Sequence, residues 1–481
     1  CDQISCNQIS CKKALVLLSR LGVVSSKDNC PNNKREKRMM RRIRSAALTP
    51  KTLTCALAGL ALFTSSLASY AADTWPVKEA GAKAAGFSEE GIASLDAAMA
   101  KVVADQDVAG MVWLLARNGE VATFESAGLA RVDDQAPMTM DSLFRIYSMT
   151  KPVTGVALMM LHEQGLWKFD DPVSLHAPEL AGLKIMTSFD DNGNMELVSP
   201  SREPTMRELL NHSAGYGYGL SGNDPVNAKF RDTGVLASTD LDDLIAKVAD
   251  IPLLFEPGER WSYSISVDIQ GYIVQRLSGQ RFGDFLEQEI FKPLAMNDTR
   301  FFVKAEDVGR FAEVHNWDSE RNRLVQRPHR TDRPSYLDSA RLESGGGGLV
   351  SSTHDYARFL QLLVNEGELD GTRLLTPESI RIMRTNSLRD GLNLRGSLTS
   401  QGQAGQGFGV DFAVIIDPEK ANSPNSPGTY YWGGAAGTWF WVDPVEDMFW
   451  LGMIQAQGET RPGAADMRGI AADIIYESLV N

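Results

Sequence analysis

The sequence predicts a mixed α/β (α+β) fold in which an antiparallel sheet is flanked by helices and carries an inserted, mainly helical subdomain. Strand patterns lie near both ends of the chain, and helical patterns dominate the middle. No Ser/Gly linker or charge block separates these parts between Ala72 and Asn481. About 400 residues are too many for one small core but enough for two closely packed subdomains.

The predicted sheet is built from both ends of the chain. Residues 111–115 and 121–124 are apolar runs on either side of an Asn-Gly dipeptide, which is typical of a hairpin turn. Residues 439–442 and 448–451 form a second pair of apolar runs near the C-terminus. We therefore expect the first and last strands to share one antiparallel sheet.

The predicted helices follow from apolar residues at helical spacing. Ser88 is expected to cap a helix whose first turn holds two glutamates. Further helical patterns occupy residues 153–163, 206–210, 356–365 and 465–479. We expect the inserted helical part to cover roughly residues 145–340, and a cleft to form between the two parts.

Charge and cysteine content exclude several function classes. Before residue 73 lie 12 of the 48 basic and 3 of the 61 acidic residues, so the remainder carries a net charge of −22. Such an acidic body repels phosphate backbones, and nucleic acid is excluded as a partner. All five cysteines also precede residue 73, and the histidines show no zinc-ligand spacing. No metal or other cofactor is expected.

The N-terminal residues predict export. A signal peptide is expected over residues 39–72, starting at Met39 or Met40, with a basic stretch, an apolar core at residues 53–63 and small residues at 69–72. The apolar core is too short to span a bilayer comfortably, so no stable membrane insertion is expected after signal removal. Residues 1–38 are interpreted as a mis-called extension and residues 73–481 as the exported domain, periplasmic or secreted.

A Ser-x-x-Lys tetrapeptide provides the nucleophile candidate. Ser148 and Lys151 are followed by Pro152 and an apolar helical run, and the proline places the helix start close to the serine. The lysine then lies one turn along on the same face, within reach of the hydroxyl. A tetrapeptide this short also arises by chance, and a serine at a helix start is commonly only a cap.

Further segments give this tetrapeptide a context. Tyr263 follows a Pro-Gly turn in residues 255–264, residues 344–352 are glycine-rich, and Trp432-Gly433-Gly434 opens residues 432–438. Together with residues 207–215 and 290–299, and in this order, these segments resemble the serine β-lactamase and penicillin-binding-protein superfamily. The closest resemblance is to its class C β-lactamase-like branch and the carboxylesterases that share that fold. A β-lactamase/transpeptidase-like fold is therefore expected.

The resemblance implies a set of catalytic roles. Ser148 would attack the acyl carbon, Lys151 would take or relay its proton, and Tyr263 would return a proton to the leaving group. The backbone N–H groups of Ser148 and Ala435 would form the oxyanion hole. The reaction would proceed in two steps through an acyl-enzyme without a metal or cofactor.

Two departures from the lactam-processing relatives bear on the substrate. Trp432-Gly433-Gly434 stands where those relatives usually carry a cationic Lys-Thr-Gly or a His-x-Gly, and Ile265 stands where Asn is common. These four residues are the predicted substrate-binding set. They favour a carboxylesterase on short-chain esters, with a small-molecule ester or β-lactam-like compound as the partner. A β-lactamase or D-alanyl-D-alanine peptidase is the alternative, and an inactive acyl- or ligand-binding relative is a lesser one.

Other residues also have purely structural interpretations. Tyr263 could be a core ring with a satisfied hydroxyl, and His212 is expected to make a structural hydrogen bond. The four glycines at 345–348 are interpreted first as a turn requirement and only second as a place where the backbone approaches substrate. No Gly-x-Ser-x-Gly occurs, so the nucleophile elbow of the α/β-hydrolases is absent.

Overall fold

The computed structural model describes Trp75 and residues 80–220, 222–329, 334–392, 394 and 404–480. The predicted extension and signal peptide, residues 1–72, lie outside the described residues, and their interpretation stays a prediction. Residues Asp73–Asn481 form one compact unit. Among the described residues, no helix is both long and apolar enough to cross a membrane.

The strands build one large sheet and several two-stranded pieces. In chain order the strands of the described residues are β1 Gly110–Arg117, β2 Glu120–Arg131, β3 Ala136–Pro137, β4 Leu143–Arg145, β5 Ile185–Phe189, β6 Met195–Val198, β7 His315–Asp318, β8 Arg323–Gln326, β9 Val350–Ser352, β10 Glu368–Leu369, β11 Thr372–Arg373, β12 Gln406–Phe408, β13 Ala413–Ile415, β14 Tyr430–Gly433, β15 Trp439–Asp443 and β16 Met448–Ile454. The large sheet has the order β12-β13-β14-β15-β16-β1-β2-β3. Its pairings are antiparallel.

The two ends of the chain meet at the centre of this sheet, as predicted. β1 pairs with β16 so that Trp113 faces Gly452 across the ladder. β1 and β2 form the predicted hairpin, and Asn118 and Gly119 both adopt positive φ, 55° and 76°. A type I′ turn requires positive φ at both central residues, which explains the Asn-Gly pair.

Helices cover the sheet and fill the inserted part. In chain order the described helices are α1 Glu89–Ala104, α2 Thr150–Glu163, α3 Val173–His176, α4 Met206–Leu210, α5 Pro225–Asp232, α6 Leu241–Val248, α7 Ser266–Ser278, α8 Phe282–Leu286, α9 Thr353–Val364, α10 Pro377–Met383, α11 Pro418–Ala421 and α12 Met467–Glu477. Short 3-10 turns lie at Tyr147–Met149, Pro178–Leu180, Val235–Ala237 and Ala305–Arg310, and a π turn at Glu287–Phe291. The structure confirms the predicted mixed architecture of an antiparallel sheet flanked by helices.

Alternation along the strands places a core on each face of the sheet. Successive side chains of a strand point to opposite faces. In β1, Trp113 joins the cluster that includes α1 and α12, whereas Leu114 joins the larger cluster that includes α2, α7 and α9. Ser88 caps α1 as predicted, accepting a hydrogen bond from the Gly91 N–H at 3.1 Å.

The inserted helical part is organised around α2. Thr150 and most of the residues that follow it in this helix are buried, as expected of a helix that lies within a core rather than at a surface. α7 packs along α2, and α4 packs against α7. The residues at the start of α2 are therefore held by protein on several sides, which favours a rigid site.

Candidate active site

Ser148 lies in a tight turn between a strand and a buried helix. The 3-10 turn Tyr147–Met149 connects β4 to α2, so the helix begins at Thr150, two residues after the serine. Tyr147 is forced to φ 43°, a conformation that non-glycine residues seldom adopt and that is common at functional sites. Neither the turn nor α2 has a side-chain cap hydrogen bond. Ser148 is therefore not serving as a helix cap.

The amine of Lys151 lies beside the Ser148 hydroxyl. Its Nζ is 3.3 Å from Ser148 Oγ, donates to the Gly346 carbonyl at 2.5 Å and is 3.3 Å from the Tyr218 hydroxyl. The lysine is fully buried, and within the described chain no carboxylate lies at ion-pair distance from its Nζ. The residue is thus fixed by neutral groups and directed at the serine.

Tyr263 completes the group from a distant segment. Its hydroxyl donates to Ser148 Oγ at 2.7 Å, although the two residues are 115 positions apart. Lys151 Nζ lies 4.5 Å from the centroid of the tyrosine ring. The structure therefore brings the three predicted catalytic side chains together around one oxygen, and the Tyr263 hydroxyl is satisfied by the serine rather than by backbone.

The segment at 207–215 holds the tyrosine segment in place. The Ser262 N–H donates to the His212 carbonyl at 2.9 Å, and the Gly258 N–H donates to the Ser213 carbonyl at 2.8 Å. The Ser264 N–H donates to His212 Nδ1 at 3.2 Å, and the His212 ring lies 5.0 Å from the Tyr263 ring. His212 is thus a positioning residue for the tyrosine, in agreement with the structural hydrogen bond expected of it.

His212 is held neutral by its surroundings. Burial, and then the nearby Lys151, keep the pKa of the imidazole well below its usual value of 6.5. The unfolded chain takes up a proton below about pH 6.5 whereas the folded chain does not, so this group weakens the fold on acidification. Between pH 6.5 and 5 we expect the free energy of unfolding to fall more steeply in the native protein than in His212→Asn. Urea unfolding across pH 5–8 measures this, and equal slopes would contradict it.

Gly258 shows how tightly the two segments fit. Its φ is 81°, and a Cβ there would lie 2.5 Å from Oε1 of Glu208, which is paired with Arg202 and closes the capping box of α4. We expect Gly258→Ala to lower the free energy of unfolding by about 2–4 kcal/mol, from backbone strain plus displacement of this carboxylate. Gly165→Ala is the control, because Gly165 has φ 76° with nothing within 4 Å and should lose only about 1 kcal/mol. If denaturant unfolding showed the same loss of unfolding free energy in Gly258→Ala and Gly165→Ala, the displacement of the Glu208 carboxylate would contribute nothing.

The glycine-rich segment 344–352 supplies the carbonyl that binds Lys151. Gly346 donates its N–H to Asp268 Oδ1 at 3.1 Å, and the Ser344 hydroxyl donates to the same oxygen. The structure confirms a turn at these glycines, closed by the Gly348 N–H on the Ser344 carbonyl at 2.9 Å, although none of glycines 345–348 has positive φ. The requirement is close packing: a Cβ on Gly345 would lie 2.5 Å from the Val267 carbonyl, and one on Gly346 would collide with the Asp268 carboxylate.

The turn that holds Gly434 and Ala435 packs against the start of the serine turn. Ala435 lines the same cavity as Ser148, in a turn closed by the Gly437 N–H on the Gly434 carbonyl at 2.9 Å. A Cβ on Gly434 would lie 2.5 Å from the Ile146 carbonyl, so glycine permits this turn to pack against the start of the serine turn. The oxyanion role of the Ser148 and Ala435 N–H groups stays a prediction.

Trp432 lies beside the Tyr263 ring, whereas Ile265 is buried behind the site. The Trp432 ring lies 5.5 Å from the Tyr263 ring at the end of β14, next to Gly433. Ile265 is fully buried at the start of α7 and donates its N–H to the Gly217 carbonyl at 3.0 Å. The position of Ile265 indicates packing behind the site rather than contact with substrate. Substrate contacts of Trp432, Gly433 and Gly434 stay predictions.

A cavity of about 630 Å³ opens onto the nucleophile. It is lined by Arg131, Asp134, Arg145, Tyr147, Ser148, Tyr218, Leu220, Leu236, Val308, Gly309, Phe311, Glu313, Val314, Arg327, Pro328, His329, Pro334, Ser335, Tyr336, Leu337, Arg341, Leu342, Ser344, Gly346, Gly347, Ala435 and Gln457. The volume suits a ligand larger than a simple short-chain ester. In the part of the chain with described side chains, no group of His, Cys, Asp and Glu residues is arranged to hold a metal ion.

Several parts of the site were not predicted from the sequence. Tyr218 approaches Lys151 from residues that carry no motif signal beyond their aromatic content, and the Gly346 carbonyl is a backbone atom. The cavity arginines were also missed, because they come from separate loops. The glycine run at 345–348 is interpreted from the sequence first as a turn and second as a place where the backbone approaches substrate; its close packing against residues 267–268 was not predicted.

The antiparallel sheet is flanked by helices, a Ser-x-x-Lys lies at the start of a buried helix, and a tyrosine hydroxyl is hydrogen-bonded to the serine. These features define the class of serine hydrolases with the β-lactamase and penicillin-binding-protein fold. The Beta-lactamase family model matches residues 95–473, most of the chain. The chain therefore belongs to the Beta-lactamase family, which confirms the resemblance.

The individual relatives include a named esterase and an uncharacterised protein. Esterase EstB of Burkholderia gladioli is 30% identical over 358 residues, covering 71% of this chain and 84% of that protein. An uncharacterised protein of Mycobacterium tuberculosis is 34% identical over 335 residues, covering 68% and 81% of the two chains. The solved structure of EstCE1, described as a hydrolase with promiscuous acyltransferase activity, superposes with a TM-score of 0.66 at 24% identity, covering 80% of this chain and 99% of EstCE1.

Proposed function

We propose that this protein is a carboxylesterase that forms an acyl-enzyme on Ser148. The observation that carries the proposal is the position of Ser148 Oγ, 2.7 Å from the Tyr263 hydroxyl and 3.3 Å from Lys151 Nζ. A serine hydroxyl is a weak nucleophile until a base removes its proton, and the candidate base Lys151 and the candidate proton donor Tyr263 both lie at or near hydrogen-bonding distance.

The geometry supports a two-step reaction. In acylation, Lys151 accepts the Ser148 proton as Oγ bonds to the ester carbonyl carbon, and Tyr263 donates its proton to the departing alcohol oxygen. In deacylation, water gives a proton to the Tyr263 phenolate and attacks the acyl carbon, while the proton on Lys151 returns to Ser148. Both steps balance without a cofactor. The N–H groups of Ser148 and Ala435 are the proposed donors to the oxyanion, a contribution of about 3–4 kcal/mol per donor.

Two observations favour an ester over a β-lactam as the substrate: the uncharged residue beside Tyr263 and the name of one relative. Trp432, beside Tyr263, carries no charge where lactam-processing enzymes present a cation. EstB, a relative that covers most of this chain, is an esterase by name. We also propose that the enzyme is exported, on the basis of the signal-like residues 39–72, which lie outside the described residues.

A comparison of the hydrolysis rates of ester and β-lactam substrates tests the proposal. We expect purified protein to hydrolyse p-nitrophenyl acetate and butyrate well and nitrocefin poorly, with both activities absent in Ser148→Ala. Rapid nitrocefin hydrolysis with poor ester turnover would instead indicate a β-lactamase or D-alanyl-D-alanine peptidase. A stable acyl group on Ser148 without turnover of either compound would indicate a binding protein.

A further inference from the structure

The cavity that opens onto Ser148 has an unusual charge balance. Four arginines line it against two carboxylates, in a protein whose formal net charge is −13. Two of these arginines are neutralised locally, because Arg131 pairs with Asp134 at 2.9 Å and Arg145 pairs with Glu313 at 3.0 Å. Arg327 and Arg341 are left to account for the excess positive charge.

Arg341 is fixed in place by neutral groups. Its Nη1 donates to the Gly348 carbonyl at 2.7 Å and the Phe301 carbonyl at 3.0 Å, and its guanidinium lies 3.7 Å from the centroid of the Tyr336 ring. Within the described residues, neither its Nε nor its Nη2 has a hydrogen-bond partner, and no carboxylate lies within 4.0 Å. A guanidinium that is held by neutral groups, with no carboxylate of the described residues beside it, can bind an anion from outside the chain.

Arg327 repeats this pattern on another loop. Its Nη1 donates to the backbone carbonyl and to the side-chain oxygen of Gln457, both at 3.1 Å. Among the described side chains it too has no carboxylate partner. Both arginines and Gln457 line the one cavity that Ser148 lines. Charges of one sign along a cavity with low-dielectric walls raise the local concentration of ions of the opposite sign.

Arg341 is linked to the nucleophile through the glycine-rich segment and through Tyr336. Gly346 accepts the hydrogen bond of Lys151, and Gly348, two residues later, accepts that of Arg341. Two residues span at most about 7 Å. Tyr336 lies between Arg341 and the serine turn. Its ring contacts the Arg341 guanidinium and is 6.4 Å from the ring of Tyr147, the neighbour of Ser148. Ser148 and Arg341 line the same cavity of about 630 Å³, which has room for one small molecule that extends from the serine towards the guanidinium.

We propose that the preferred esters carry a carboxylate remote from the scissile bond, and that Arg341 and Arg327 bind this carboxylate. The inference rests on the proposed esterase function and specifies its substrate class. The apolar lining residues Leu236, Leu337 and Leu342 contact the carbon skeleton between the two ends of such a molecule.

Two matched pairs of esters test the proposal. The carboxylate lies on the alcohol part in 4-acetoxybenzoate, compared with its methyl ester, and on the acyl part in mono-4-nitrophenyl glutarate, compared with 4-nitrophenyl butyrate. Each kcat/KM is divided by the rate constant of hydroxide-catalysed hydrolysis. We expect the anionic member of at least one pair to be preferred about tenfold or more, as charge-assisted hydrogen bonds allow. The pair that shows the preference identifies which part of the ester carries the anion.

Single substitutions identify the arginines that cause the preference for the anionic ester. Arg341→Gln is expected to lower the preference for the anionic ester, measured as the ratio of the two normalised kcat/KM values of a pair, by about tenfold. Arg327→Gln is expected to act in the same direction and contacts no residue of 344–348, so it keeps the test valid if Arg341→Gln distorts that segment. Arg131→Gln, which removes an already paired arginine, is the control and should keep the preference. No preference in the native protein, or an equal loss in Arg131→Gln, would overturn the assignment.

A binding measurement separates this inference from the esterase function itself. Calorimetric titration of Ser148→Ala with 4-acetamidobenzoate and with its uncharged methyl ester needs no turnover. Tighter binding of the carboxylate that is lost in Ser148→Ala/Arg341→Gln supports the inference even if no ester is hydrolysed. Equal binding of the two compounds would overturn it, while Ser148-dependent hydrolysis of the neutral esters would leave the esterase function standing.

Discussion

Replacing Ser148 by alanine is expected to lower kcat/KM for p-nitrophenyl butyrate by at least about 10⁴-fold, because the residual site has donors but no nucleophile. The same change should leave the free energy of unfolding within about 0.5 kcal/mol, because the Ser148 side chain does not cap α2. Ester hydrolysis followed at 400 nm, approximately the absorption maximum of the released phenolate, together with denaturant unfolding, gives both quantities.

Ser88→Ala is the matched control for this prediction. Ser88 also stands at a helix start, but its hydroxyl oxygen accepts a hydrogen bond from the Gly91 N–H, so it is a true cap. Its loss should cost about 0.5–2 kcal/mol of stability and leave activity unchanged. If Ser148→Ala instead lost stability and kept its activity, Ser148 would be structural and the proposed mechanism would be wrong.

Lys151→Met is expected to have the second largest effect, a loss of about 10²–10⁴-fold in kcat/KM, the usual contribution of a general base. Methionine retains the unbranched apolar stem that fills the buried position, so the fold should survive. The loss should fall on kcat more than on KM, because the amine acts on the serine rather than on the bound ester.

Tyr218→Phe tests whether that loss comes from the amine itself. The Tyr218 hydroxyl is 3.3 Å from Lys151 Nζ, whereas the Gly346 carbonyl at 2.5 Å holds the amine independently. Removing the hydroxyl should therefore cost less than about tenfold in kcat/KM. If Lys151→Met retained most of its activity, or if Tyr218→Phe lost as much as Lys151→Met, the base would have to be sought elsewhere.

The parts of the fold that the sequence predicted are those governed by local rules. The Asn118-Gly119 turn and the apolar runs on either side of it predicted the hairpin, and the Ser88 cap predicted the start of α1. The pairing of the first and last strands followed from their shared apolar character. The start of α2 was placed near Ser148 by Pro152, and the structure puts it at Thr150, after a 3-10 turn.

The parts of the site that the sequence did not predict depend on contacts between distant segments. Lys151 binds a backbone carbonyl at Gly346, and carbonyls are present at every residue, so no residue type marks this one. The sequence also does not show that Arg341 lacks a carboxylate partner among the described residues, because this depends on which side chains lie close to it in the folded protein. Tyr263 was found only because its segment resembles a known family.

Covalent labelling with an ethyl 4-nitrophenyl alkylphosphonate tests the central claim that Lys151 and Tyr263 make the Ser148 hydroxyl reactive. The phosphonyl group stays on an activated serine, so intact-mass measurement and peptide mapping show where it is. We predict one phosphonyl group per protein, on the peptide that contains Ser148, loss of esterase activity in step with labelling, and no labelling of Ser148→Ala or Lys151→Met. A label on another residue, or full esterase activity after Ser148 is labelled, would contradict the claim.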